Sequence, residues 1–338
     1  MRLKNIKKRL LRWLLISLSF CAILAITGFF QYQHNAQTRA AIGSLEQIKR
    51  PSQHGEIIIS FHTSTPPEAV THHDQAVVLI PSLARPASDF NELAAALNAA
   101  GYTTYLLDPR GMHDESGVVL EDITLFDLAD DVAALHAHLQ ASQRLADPEI
   151  ILIGHAFGNR VARSFATKYT NKTDAVILLA AGGVAPLSAI AEKSLMQSLW
   201  LFMPNQWREP RLRYAFFSPT STIPDYWIKG WRLSTAFTQA AATANTPAQD
   251  WYHAGGKPLF VIQGAQDSVA PPALSGDVLQ QEFPDRVSTL TLPDAGHALL
   301  PEQPTLIEAA VLSFLRQRTQ LKSSPQKSEI MPSFSQSP

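Results

Sequence analysis

The stretch at residues 149–158, EIILIGHAFG, constrains this chain more than any other. Residues 150–153 suit a buried strand, Gly154-His155-Ala156-Phe157-Gly158 makes a tight turn, and residues 159–165 open a helical pattern. Strand, turn and helix therefore follow one another without a linker. Flanking glycines let the backbone turn sharply enough to present the central residue at the carboxyl edge of a sheet. That residue is Ala156, whose methyl group cannot attack a carbonyl. The turn declares an architecture and leaves its chemistry open.

The same alternation runs along the chain. Strand-like runs at 56–62, 75–80, 103–107, 175–181, 258–263 and 287–292 are separated by helical patterns, with Phe90, Leu93 and Leu97 on one face and Leu128, Val132, Leu135 and Leu139 on another. Ile307, Val311, Phe314 and Leu315 mark a last helix. Short apolar strands alternating with amphipathic helices predict an α/β fold, a mostly parallel twisted sheet covered on both faces. From 185 to 252 the alternation stops, and five of the six tryptophans fall there or at its end: Trp200, Trp207, Trp227, Trp231 and Trp251. An insertion this aromatic is either a lid over a pocket or a helical cap packed on the sheet. The lid is the preferred reading, because aromatic side chains line small-molecule pockets.

At 338 residues, 46% hydrophobic and 17% charged, the chain suits one large domain with extras. The net charge of −1 hides an asymmetry, because Arg2, Lys4, Lys7, Lys8, Arg9 and Arg12 stand unopposed and leave the remainder at about −7. A mildly acidic body argues against a nucleic-acid partner. Cys21 is the sole cysteine and lies in the apolar N-terminal run, so the body has neither a disulfide framework nor a cysteine metal site. No cofactor and no metal are expected.

Residues 13–30, WLLISLSFCAILAITGFF, form an uncharged apolar run of 18 residues behind the basic cluster, just long enough to cross a bilayer. The alternative is a cleaved signal, but Phe29-Phe30-Gln31-Tyr32 is bulky where small residues are required, and Ala36 or Ala40 offers the next site. Phe20 disfavours a lipid on Cys21. The basic flank places the body outward. For a bacterial protein the expectation is a single-pass inner-membrane anchor with a periplasmic domain, or secretion after cleavage. Residues 31–54 read as a polar linker, 55–322 as the domain, and 323–338, rich in Ser, Pro and Gln, as a disordered tail.

Taken together, residues 55–320 resemble the α/β-hydrolase superfamily, whose nucleophile elbow has the spacing G-x-S-x-G. Asp108-Pro109-Arg110-Gly111 resembles the family's D-x-R-G turn, and residues 79–90 the loop after its third strand, with Pro81-Ser82 and Leu83 in place of His-Gly and the oxyanion residue. Gly264-Ala265-Gln266-Asp267 resembles the acid loop, and Ala295-Gly296-His297 before Pro301-Glu302-Gln303-Pro304 the histidine loop. The resemblance implies that Asp267 bonds Nδ1 of His297, that His297 acts as base, and that the amides of Leu83 and Phe157 are oxyanion donors. It makes Ala156 a degenerate nucleophile position. His155 reads as structural, Ser82 as a remote substitute nucleophile, and Arg85 as either an anion site or a solvated charge. Two functions stay open. One is an enzyme using a His297–Asp267 dyad on a small apolar, ester-like substrate; the other is a non-catalytic ligand-binding protein at the membrane.

Overall fold

In a computed structural model, which describes residues 2–53, 55–113, 117–182 and 184–323, eight strands form one sheet. They are β1 (Ser44–Ser52), β2 (Gly55–Ser64), β3 (Ala76–Ile80), β4 (Thr103–Leu107), β5 (Ile150–His155), β6 (Thr173–Leu179), β7 (Leu259–Gly264) and β8 (Val287–Leu292). The order is β1-β2-β4-β3-β5-β6-β7-β8, parallel from β4 to β8, with β2 antiparallel to β4 and β1 antiparallel to β2. This is the predicted α/β class. Strand side chains point alternately to the two faces. Val77, Leu79, Ile151, Ile153 and Ile177 pack with Phe90 and Leu93 of α2 (Asn91–Ala99) and its entry turn, and with Phe314 of α11 (Pro304–Ser323). Val78, Ile80, Leu152, Val176 and Val261 pack with Val132 and Leu135 of α3 (Leu125–Ala141) and Phe165 of α4 (Phe157–Lys168). A capping box between Thr124 and Asp127 starts α3.

Residues 31–54 are not the linker predicted from sequence. The first helix, α1 (Arg2–Asn35), continues to Asn35, and β1 pairs along its whole length with β2, Ile48 facing Ile59. Its polar residues belong to an edge strand whose charges find partners: Arg50 reaches Asp131 at 2.9 Å and Glu46 reaches Arg144 at 2.8 Å. Composition alone could not distinguish such an edge strand from a tether. The predicted tail lies, but for Ser323, outside the described residues.

Between β6 and β7 the described residues build four α-helices, α5 (Ala189–Ser198), α6 (Asn205–Phe216), α7 (Asp225–Ile228) and α8 (Leu233–Ala244). Several of their aromatic side chains pack into a core of their own. Trp227 and Trp231 are fully buried with Phe216, Phe217 and Leu212 in a core that also holds Ala84 and Ala298, while Trp251 sinks into the core beneath α4. The short helices α9 (Gly276–Glu282) and α10 (Leu299–Glu302) flank the last strand.

Helix α1 docks on this insertion. Asn35 donates its side-chain N–H to the Leu201 carbonyl at 2.8 Å, and the Trp231 amide donates to the Asn35 carbonyl at 3.2 Å. Within α1, Trp13–Asn35 is 23 residues whose most apolar 18-residue window has a mean hydropathy of 2.2, long and apolar enough to cross a membrane.

Candidate active site

Strand β5 runs straight into the elbow. Ala156 has φ 48° and ψ −106°, a conformation that side-chain-bearing residues rarely adopt, and its amide donates to the Leu179 carbonyl at 2.9 Å. Packing dictates the flanking glycines: a Cβ on Gly158 would lie 2.1 Å from the Ile80 carbonyl oxygen, and one on Gly154 would lie 2.6 Å from the Asn159 nitrogen. The first turn of α4 is thereby pressed against the exit of β3. That exit, Pro81-Ser82-Leu83-Ala84, bends through Ala84 at φ 60°, and the Ala84 amide donates to Gln239 of α8 at 2.7 Å. Among the described residues the amides of Leu83 and Phe157 have no acceptor in the chain, and Phe157 opens α4, where helix amides are left unpaired.

Asp267 follows β7 and His297 follows β8. His297 Nδ1 lies 2.8 Å from Asp267 Oδ2, and the other carboxylate oxygen accepts the amides of Val269 at 2.8 Å and Ala270 at 2.7 Å. A carboxylate held this way cannot rotate from the ring, so it fixes the tautomer with the proton on Nδ1. The bond from Nδ1 is the one side-chain hydrogen bond His297 makes among the described residues, which leaves Nε2 free. Asp267, His297 and Ala156 are all buried, at 4%, 5% and 8% exposure.

Three contacts hold the histidine loop, and the first comes from His155, the residue read from sequence as structural. Fully buried His155 donates from Nε2 to the His297 carbonyl at 2.8 Å; burial, aided by the nearby charge of His297, pushes its pKa down to about 3, so it is neutral. Glu302 accepts the Gly296 amide at 2.6 Å and the Ser218 amide at 2.7 Å, and burial raises its carboxyl above the ordinary range. The Ala298 amide donates to the Phe216 carbonyl at 2.6 Å. Both Ser218 and Phe216 belong to the insertion, so its position and that of His297 are coupled. Glu302 was legible as part of a motif, but its partner Ser218 comes from distant sequence.

Arg85 is neither an anion site nor solvated. It is fully buried, pairs with both oxygens of Asp89 at 2.7 and 2.8 Å, donates to the Tyr226 and Lys229 carbonyls, and stacks over Trp227 at 4.4 Å. It fastens the insertion to the loop after β3. The buried hydroxyl of Ser82 has no partner among the described residues, so nothing there activates it. Asp108 accepts from Nε2 of His62 at 3.0 Å and of His113 at 2.7 Å, and its other oxygen accepts the Ala87 amide. These three side chains are close enough to share a cation. A largely apolar cavity begins beside the elbow at Phe157 and Pro81, runs along Ile80, Leu107 and Leu128, and is bounded by Thr238 and Gln239 of α8.

Residues 71–304 match the family described as serine aminopeptidase, S33. Among curated proteins none matches. Solved structures similar in fold include a probable hydrolytic enzyme from Pseudomonas aeruginosa, 16% identical, with a TM-score of 0.66 over 83% of this chain and 96% of that one. A thermophilic esterase from Thermogutta terrifontis is 21% identical, with a TM-score of 0.63 over 81% and 99%. A membrane phospholipase A, described as a bacterial virulence factor, is 16% identical, with a TM-score of 0.62 over 92% and 99%.

Proposed function

Because this chain belongs to the serine aminopeptidase S33 family of α/β hydrolases, we propose that it acts on a small apolar, ester-like substrate through the His297–Asp267 dyad, with water in place of a serine nucleophile. The observation that carries this reading is the 2.8 Å bond between His297 Nδ1 and the immobilised Asp267 carboxylate. It leaves Nε2 as a base. In the step envisaged, Nε2 takes a proton from water as its oxygen attacks the carbonyl carbon, and the amides of Leu83 and Phe157 hold the oxyanion. The tetrahedral adduct then expels the alkoxide, which leaves as the alcohol with the proton from His297. Esterase structures among the fold neighbours supply the substrate class. The insertion acts as a lid, since the dyad is buried beneath contacts from Phe216 and Ser218.

A second reading rests on one observation, the methyl group at position 156, and makes the protein a ligand-binding relative without turnover. On both readings α1 is an uncleaved single-pass anchor of the inner membrane, with the domain on the periplasmic side; its docking through Asn35 supports this. Activity against short-chain aryl esters decides between them. His297→Ala abolishes the wild-type rate if the dyad works. Ala156→Ser supplies the missing hydroxyl in an elbow already strained to present it, and hydrolysis rises by at least about a hundredfold, with fluorophosphonate labelling at residue 156. A folded Ala156→Ser that neither labels nor hydrolyses, beside a wild type indifferent to His297→Ala, establishes the binding protein instead.

A further inference from the structure

We propose that the outer face of the insertion, around Trp200, Phe202 and Trp207, is seated in the headgroup boundary of the bilayer that α1 crosses. The proposal rests on reading α1 as an anchor. Gly28 lies two positions before the end of the apolar run at Phe30, and a Cβ at Gly28 would touch the Cβ of Phe202 at 3.6 Å. At 1.5 Å of rise per residue this sets Phe202 roughly 3 Å inside the level at which the apolar run ends. A span that places Phe30 at the membrane boundary therefore carries Phe202 there with it.

The two parts are held in that register by more than one contact. Asn35 bonds the Leu201 carbonyl, and Gln31 donates to the Asn205 side chain at 3.2 Å. What the insertion presents at this level is apolar and uncovered. Phe202 is 51% exposed and Trp200 41%, the two rings stacked 6.2 Å apart, although three other tryptophans of the domain are fully buried. Water is a poor solvent for a contiguous face of this kind. Trp200 stacks on Trp207 with ring centroids 5.3 Å apart, and the Arg211 guanidinium lies 4.0 Å over Trp207. Tryptophan rings with a neighbouring cation match the lipid interface, where indole sits among headgroups and arginine meets phosphate. A protein partner is the other kind of occupant for an apolar face. The shared level with α1 selects lipid.

The test uses the full-length chain in nanodiscs of phosphatidylethanolamine and phosphatidylglycerol. An environment-sensitive nitrobenzoxadiazole label is placed at Phe202→Cys, or in a second variant at Trp200→Cys, each with Cys21→Ser; Gln140→Cys at the amino edge of the sheet is the control, and Cys21 of the native sequence reports α1. We expect blue-shifted emission at 202 and 200 and quenching by headgroup spin-labelled lipid, with the label at 140 unaffected. Water-like, unquenched emission at both positions, with Cys21 quenched by acyl-chain spin labels, overturns the proposal and leaves the anchor standing. If Cys21 is also unquenched, the anchor reading falls and the proposal falls with it.

Discussion

His155 follows the first elbow glycine, and burial has made it a permanently neutral donor to the histidine loop. Its pKa of about 3 in the folded chain lies below the ordinary 6.5. Above 6.5 both states are neutral, and the contribution to stability is fully present. Below it the unfolded chain takes up a proton that the folded chain refuses, so stability is lost as pH falls from 6.5 toward 3. Asp108 acts in the same direction over the carboxylate range: burial pushes its carboxyl up, but the bonds from His113 and His62 outweigh this and hold it below the usual value. Its stabilisation too is lost on acidification. The melting temperature should therefore drop as pH is lowered below about 6.5. His155→Gln keeps an N–H donor without a titrating ring and should flatten the upper part of that slope. An unchanged slope in thermal scans between neutral and acid pH would show that His155 is not the group responsible.

At the scale of elements, the insertion is joined to the sheet by buried polar contacts as much as by its tryptophans. Arg85 bridges Asp89 and two insertion carbonyls with no exposure to water. Removing one partner of such a pair strands the other charge, which costs about 3–5 kcal/mol. Arg85→Met should lower the unfolding free energy read from denaturant titration by that amount, and Arg85→Met with Asp89→Leu should recover much of it, because the stranded carboxylate goes too. A double variant no better than the single one would mean that the bonds to Tyr226 and Lys229, rather than the ion pair, carry the energy. The linker predicted at 31–54 failed at this same scale. A strand is recognised by apolar alternation, and β1 buries little, with Leu45 half exposed and its charges paired to Glu56, Asp131 and Arg144 from three other segments.

For the whole molecule, α1 and the domain share structure, since the end of α1 carries the carbonyl that Trp231 bonds and the side chain that bonds Leu201. Cleavage after Ala36 or Ala40 would remove those groups. Native protein purified from membranes should therefore begin at its original N-terminus, and reporters fused after Gln53 should behave as exported; a mature chain starting at residue 37 or 41 would replace the anchor with a signal. The sequence by itself determined the α/β class, seven of the eight strands and the tight elbow, and its resemblance to the α/β hydrolases implied the His297–Asp267 pairing. These follow from local periodicity, glycine spacing and ordered motifs, all of which are encoded within short stretches. Tertiary structure alone decided the edge strand β1, the burial of Arg85, the bond from His155 to the His297 carbonyl, the tie between Glu302 and Ser218, and the level of Phe202 beside Gly28. Each depends on groups far apart in sequence, and whether a polar residue is solvated, paired or clamped is settled only by which distant groups folding brings against it.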